Sequence, residues 1–484
     1  MSHAIDGLNP PLVWKYFAEL AKIPRCSKHE AAAAKFVLDT AKKLGLSARQ
    51  DKSGNVIVKK PASPGREKVK SVCLQGHLDM VGEKNADKVH DFSKDPIELV
   101  RKGNFMMANG TTLGADNGIA VATNLAIMEG KSLVHGPLEF LFTIDEETGL
   151  TGAHTLQPGF IESRTLMNLD SEEEGALYAG CAGGKDTTGT WTVEYEKAPA
   201  TMAALDVKVA GLRGGHSGLE IDKGRGNALK IMNRVLIALG DECGARLSAI
   251  DGGNKRNAIP RECTALVFVP KAQIAAAKAL VSAWNDVVRA ELKTVEPDLK
   301  VSAGEMKKKG SMLKKKYQKQ ITQTISALPH GVIKMSAEIT WLVETSTNVA
   351  VLTTAGKKIS LATSQRSSVA SEIKEIAQTV KTIFELGGAK VVQGDGYPGW
   401  KPDMDSAILK VAKSTYKQLT GKEPEVKAVH AGLECGIIGE KYPGMDMVSF
   451  GPTLEGVHSP DEKIYIDTVP KFWDFLLAIL KNVN

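Results

Sequence analysis

Long apolar runs are missing from this 484-residue chain. No stretch approaches the ~20 consecutive apolar residues that a membrane-crossing helix requires. The most apolar tail segment, 472–480, is interrupted by Asp474 and reads as an amphipathic closing helix. Cysteine is scarce: six are scattered at 26, 73, 181, 243, 263 and 435, with no C-x-x-C pair. Reduced, structural thiols in a cytosolic protein are expected from that spacing. A strong charge excess is also absent. Against 62 basic residues stand 56 acidic ones, a formal net charge of +6, which over this length gives no reason to expect nucleic acid or an anionic membrane as partner. The densest basic stretch, 306–319 (MKKKGSMLKKKYQK), has no aromatic ladder to stack bases and reads as a solvated helix face. The opening residues, MSHAIDGLNPPLVW, show no basic segment followed by an apolar one, so no secretory signal is expected and the cytoplasm is the predicted location. Three catalytic signatures are lacking: the G-x-S-x-G serine elbow, the G-x-x-x-x-G-K-[ST] phosphate loop and the helical zinc motif H-E-x-x-H.

What is present is a globular composition, 43% hydrophobic and 24% charged, on a chain long enough for two or more domains. Residues 10–46 look helical, with Ser27 and Glu30 as a capping box before AAAAKFVLDTAKKLG and Gly45 as the stop. Strands are expected at 56–58 and 71–74, the second running into GHLDM. The Gly-rich turn GTTLGADNG leads into a helix, IAVATNLAIMEG. Two further apolar segments end abruptly in acid, LEFLFTI in Asp145-Glu146-Glu147 and TLMNL in Asp170-Ser171-Glu172. This alternation of strands and helices predicts an α/β sheet. After GCAGG (180–184) the strands become more alternating (TWTVEYE, LDVKVAGL), and long helices follow at 226–239 and 272–293. That α+β region ends near GDGYPGW (394–400), and α/β character returns with a helix at 404–420, the strand MDMVSF and a final helix. The predicted organisation is therefore one α/β catalytic domain built from 1–186 and 397–484, with a second domain, 187–396, inserted.

Five potential metal ligands sit just after apolar strands, at a helix start, or in a loop: His77, Asp116, Glu147, Asp170 and His458. In an open α/β sheet, ligands bind beyond the carboxyl ends of the strands, and three of the five close an apolar strand. Imidazole mixed with carboxylate suits a borderline cation such as Zn²⁺. Two histidines and three carboxylates exceed a three-ligand catalytic zinc and suit two metals sharing a bridging carboxylate and a bridging water. Each residue also has an ordinary structural reading: a strand-end histidine, a helix cap at Asp116, a solvated acidic turn at Glu146-Glu147, a surface acidic loop around Asp170, a loop histidine at 458. All five would have to hold independently for the grouping to fail. Asp79, two residues after His77, falls on the same face of an extended segment and would orient its imidazole. Glu146 and Glu147, if extended, would point in opposite directions, one to metal and one to substrate.

Taken in order, QGHLDMV, VHDFSKDPI, GTTLGADNGIA, VHGPLE, EETG, DSEEEG, CAGG, GGHSG, RNAIPRE, YPGW, HAGLECG and GPTLEGVHSPDE resemble, nearly end to end, the aminoacyl-histidine (Xaa-His) dipeptidases. These belong to the co-catalytic zinc peptidases that include carboxypeptidase G, peptidase T and the aminoacylases. The resemblance implies a zinc-exopeptidase-like mixed sheet flanked by helices, with an inserted lid and dimerisation domain, so a homodimer. It implies two Zn²⁺ per chain, with Co²⁺ or Mn²⁺ as substitutes: His77 and Asp170 on one ion, Glu147 and His458 on the other, Asp116 bridging. Glu146 would be the general base acting on the bridging water, and Asp79 would orient His77. His216 would reach the active site of the partner subunit and stabilise the oxyanion. Asn257 would hold substrate, and Arg366, with Ser364 two residues before it where the wider group is acidic, would grip the C-terminal carboxylate. His430 and Glu434 would line the substrate pocket. The implied activity is hydrolysis of unblocked dipeptides. An N-acyl amino acid deacylase or tripeptidase using the same metals, and a non-catalytic binding protein on this fold, are the competing readings.

Overall fold

The computed structural model describes residues 4–307 and 309–484. Its chain divides into two compact units, one of residues 4–181, 400–428 and 433–484, the other of 182–399 and 429–432. The sequence borders at 186 and 396 thus become 181 and 399. In addition, 429–432 joins the second unit, because the Ala182 amide hydrogen-bonds to the carbonyls of Val429 and Ala431.

The first unit is built on an eight-stranded sheet. Its spatial order is Ser47–Gln50, Val56–Lys60, Leu138–Thr143, Val72–His77, Thr165–Asn168, Asp446–Ser449, Ala176–Cys181 and Glu425–Val429. Val72–His77 pairs in parallel with both Leu138–Thr143 and Thr165–Asn168, whereas Val56–Lys60 runs antiparallel at one side. Hence the sheet is mixed, as expected. Both Val72–His77 and Leu138–Thr143 are buried at all six positions, the mark of parallel strands covered on two faces. Helix Ala115–Glu129 is buried almost all round, consistent with its small and apolar residues (ADNGIAVATNLAIME). It packs on Val72–His77 so closely that a Cβ at Gly76 would come within 2.4 Å of Asn117 Oδ1. Glycine at the second-last position of that strand is therefore a packing requirement.

The second unit is a nine-stranded sheet with its own hydrophobic core. Its strand Met202–Ala210 buries Leu205, Val207 and Val209 and exposes Lys208, the alternation read from LDVKVAGL. Helices Ala228–Cys243, Ile274–Glu291, Lys315–Ala327 and Ala370–Leu386 complete it. Asn227 caps Ala228–Cys243, its side-chain oxygen accepting from the amides of Leu229 and Lys230 at 3.0 and 3.2 Å while its Nδ2 donates to Val349 O at 2.8 Å. Loss of a helix cap costs about 0.5–2 kcal/mol, so Asn227→Ala is expected to lower unfolding free energy by about 1 kcal/mol or more in urea titration. An unchanged midpoint would show that the cap contributes nothing.

Three expectations are corrected. The 10–46 region is two helices, Pro11–Leu20 and Ala31–Lys43. Ser27 and Glu30 form no capping box, because both side chains are drawn elsewhere: Ser27 Oγ donates to Asp79 Oδ2 at 2.8 Å, and Glu30 Oε1 accepts from the amides of Lys28 and Asp145 at 2.8 and 3.0 Å. The basic run 306–319 is not one helix face. It spans the end of strand Lys300–Met306, strand Ser311–Leu313 and the start of helix Lys315–Ala327, with Lys308 outside the described residues.

Candidate metal centre

The three central parallel strands end side by side, and each end carries an acid or a histidine. His77 is the last residue of its strand. Asp170 follows Thr165–Asn168 by two residues, and Glu146 and Glu147 follow Leu138–Thr143. Asp116 comes from the start of helix Ala115–Glu129, where the backbone at Asp116 and Asn117 departs from helical angles. His458 comes from the loop between strands Leu454–Glu455 and Lys463–Tyr465, at φ 61°.

These five segments converge. Asp116 Oδ1 lies 3.1 Å from His77 Nε2, and its Oδ2 lies 3.1 Å from His458 Nε2. His77 Nε2 is also 3.3 Å from Asp170 Oδ1, and His458 Nε2 is 2.8 Å from Glu147 Oε2. Two triads therefore share Asp116, one with His77 and Asp170, the other with Glu147 and His458, and in each triad the ligand atoms lie within 4.8 Å of one another. The donor set fits a pair of borderline divalent cations. Asp170 Oδ1 and Glu147 Oε1 are buried oxygens that accept no hydrogen bond, a costly state that a cation relieves. His458 is the open edge, its side chain 50% exposed against 1% for His77.

Glu146 and Glu147 are not extended. At Asp145 the chain turns left-handed, φ 49°, and the one-turn helix Glu146–Gly149 begins. The turn is held by Asp79, whose Oδ1 accepts from the Glu146 amide at 3.0 Å and whose Oδ2 accepts from the Glu147 amide at 3.2 Å. Asp79 Oδ1 also stands 3.3 Å from His77 Nδ1. Burial pushes Asp79 up, but the His77 ring, the Glu146 amide and the Ser27 hydroxyl outweigh it and hold the carboxyl at about 2, so Asp79 is a fixed anion behind His77. Glu146 behaves in the opposite way. Burial raises it well above the usual carboxylate range, the charges of Asp170, Glu434 and Glu147 add to the rise, and His77 opposes them. A carboxylate with enhanced proton affinity results.

Sequence reasoning missed Asn117 and Arg25. Asn117 Oδ1 accepts from the His77 amide at 3.2 Å while its Nδ2 donates to Leu169 O at 3.0 Å, tying together the strand ends that carry His77 and Asp170. Its signal was in view, beside Asp116 in LGADNG. Glu434 is wholly buried and accepts from Gln75 Nε2 and Thr143 Oγ1, each at 2.6 Å. Burial raises it to about 7.

The other four expected site residues, His216, Asn257, Arg366 and His430, lie in the second unit. His216 and Asn257 line one cleft of about 800 Å³. His216 Nδ1 accepts from the amides of Gly218 and Leu219 at 3.2 and 3.1 Å, which leaves the proton on Nε2. Burial, then the Arg366 charge, holds its pKa at about 4, so the ring is a neutral Nε2–H donor at physiological pH. Arg366 is 7% exposed and pairs across strands with Ser346. Ser346 Oγ lies 2.7 Å from His430 Nε2, and Arg366 Nη1 donates to Tyr397 OH at 3.2 Å.

A mixed α/β sheet with a strand-end imidazole and a loop imidazole meeting at one shared carboxylate is the arrangement of a metallohydrolase. The chain belongs to peptidase family M20/M25/M40, whose model matches residues 73–482, and it is an enzyme. It is 40% identical over 479 residues, 99% of each chain, to the cytosol non-specific dipeptidase of Escherichia coli (strain K12). The crystal structure of aminoacylhistidine dipeptidase from Vibrio alginolyticus matches with a TM-score of 0.91 and 42% identity, covering 100% of this chain and 99% of that one. Aminopeptidase PepT from Bacillus cereus shares the fold, with a TM-score of 0.57 at 16% identity, over 98% of this chain and 99% of that one.

Proposed function

We propose that this enzyme is a cytosolic two-metal dipeptidase that hydrolyses unblocked dipeptides, Xaa-His dipeptides among them. The observation that carries the reading is Asp116, which offers one carboxylate oxygen to each of two imidazoles at 3.1 Å. The names and full-length similarity of the two dipeptidases support it. Among the described residues no helix is long and apolar enough to cross a membrane. His77 and Asp170 would hold one Zn²⁺, Glu147 and His458 the other, and Asp116 both. When bound, such a pair polarises the scissile carbonyl and acidifies the attacking water.

The remaining chemistry belongs to the chain. Glu146 takes a proton from the attacking water and returns it to the departing amine nitrogen, a role that suits a carboxylate of raised proton affinity. Asp79 keeps the His77 ring oriented with Nε2 toward Asp116 and Asp170. The second unit serves as lid and dimerisation domain. Its His216 reaches the active site of the partner subunit and donates Nε2–H to the developing oxyanion there, and Arg366 takes the substrate's C-terminal carboxylate through its planar fork. Asn257 and His430 hold the rest of the substrate.

The test is a rate panel on chelator-stripped and Zn²⁺-, Co²⁺- or Mn²⁺-restored protein. Dipeptides should be cleaved, activity should vanish with the metal and return with it, and tripeptides and N-acetyl amino acids should be poor substrates. Faster turnover of N-acetyl amino acids or of tripeptides would replace the dipeptidase assignment. Activity indifferent to chelation would end the metal reading.

A further inference from the structure

Four residues beyond His458, the structure holds a buried acid whose two oxygens bind main-chain amides. Glu462 is 2% exposed. Its Oε2 accepts from the amides of Leu113 and Gly114 at 2.7 and 3.0 Å, and its Oε1 from those of Ala115 and Asp116 at 2.7 and 3.2 Å. These are four consecutive N–H groups at the start of helix Ala115–Glu129, where amides have no intrahelical acceptor. Gly114, at φ 70°, supplies the left-handed turn within this run of amides.

Arg25 grips the same turn by its carbonyl. Only 3% exposed, it donates through Nη2 to Gly114 O, and through Nη1 to Leu78 O and Asp79 O at 2.9 Å each. The Asp116 turn is thus fastened by Arg25 to the strand end that carries His77. Glu462 fastens it to the turn that carries His458, for the two residues share one tight loop: the Glu462 amide donates to Ser459 O at 3.1 Å, and Ser459 Oγ donates to Gly456 O at 2.6 Å.

We propose that Glu462 is a positioning residue that locks the Asp116 turn to the His458 loop, fixes the spacing of bridging carboxylate and imidazole, and so sets the affinity for the cation held by Glu147 and His458. This rests on the two-metal reading above. Glutamine cannot substitute, because one of its two acceptor oxygens becomes an NH₂ that faces two N–H donors. Aspartate keeps the charge but falls one methylene short.

The experiment is competitive Zn²⁺ titration of metal-stripped protein against a chromophoric chelator, comparing the unaltered chain with Glu462→Gln and Glu462→Asp. Each variant should lose roughly 10–100-fold in affinity for one of two ions, the range for partners that orient metal ligands. The other ion should be held nearly as before, and KM at saturating zinc should be unchanged. Folded variants that bind both ions with unaltered affinity overturn the proposal. An unaltered chain that binds fewer than two ions overturns the two-metal reading instead, and the proposal with it, a failure visible without any variant. Should neither variant fold, hydrogen exchange on the unaltered, metal-free protein decides. The amides of residues 113–116 should be protected like those of the strand Val72–His77, and exchange at the rate of exposed loops would refute the clamp.

Discussion

Glu146→Gln is expected to reduce kcat by roughly 10²–10⁴-fold, the contribution of a positioned general acid–base group, while the metal content stays at that of the unaltered chain. The substitution keeps the size of the side chain and removes its charge and its capacity to accept a proton. That capacity is what the site enhances: burial, together with the charges of Asp170, Glu434 and Glu147, lifts Glu146 well above an ordinary carboxylate. The position of the side chain is set independently of its own charge. The Glu146 amide is held by Asp79 at 3.0 Å, and the left-handed turn at Asp145 aims the one-turn helix. KM should therefore change little. Because His77, Glu146 and Glu147 also form a compact triad of their own, metal analysis decides between two roles. Retained metal with lost turnover identifies the base. A fall in metal content makes Glu146 a ligand, and full activity in the variant excludes both.

Asp116→Asn should be the most damaging change to metal binding. The carboxylate gives one oxygen to each triad, and an amide replaces one of those oxygens with a donor that repels a cation. Partners that merely orient a ligand cost 10–100-fold in metal affinity, so a shared ligand should cost more than about 100-fold, and both ions should be affected. Zinc titration and elemental analysis measure this directly, and activity should fall to background at any practical zinc concentration. Global stability need not follow, since the clamp on the turn acts through the amides of residues 113–116, which asparagine retains. Two ions bound with unaltered affinity would show that Asp116 does not bridge.

Much of the candidate site was legible beforehand because its residues interrupt an otherwise apolar pattern. A strand buried at all six positions and ending in His77, or LEFLFT giving way to three acids, leaves few reasons for the polar residue other than function. Other features were illegible because they depend on competition for partners. Ser27 and Glu30 have the spacing of a capping box, but Asp79 and the Asp145 amide outcompete the helix end for their side chains. Glu146 and Glu147 looked extended, but Asp79 accepts both their amides and bends the chain into a helical turn. Glu462 stood in plain view in GVHSPDE, yet nothing in the string shows that its oxygens meet the backbone 346 to 349 residues earlier.

By itself, then, the amino-acid order determined which imidazoles and carboxylates interrupt the apolar pattern and that strands and helices alternate around them, because hydrophobic periodicity and side-chain chemistry are local properties. Only the tertiary structure decided that Asp116 divides its two oxygens between His77 and His458, that Asp79 turns the Glu146 segment, and that Glu462 holds the amides of residues 113–116. Those are contacts between segments far apart in the chain, and their distances follow from how strands stack and loops close rather than from any residue's own preference.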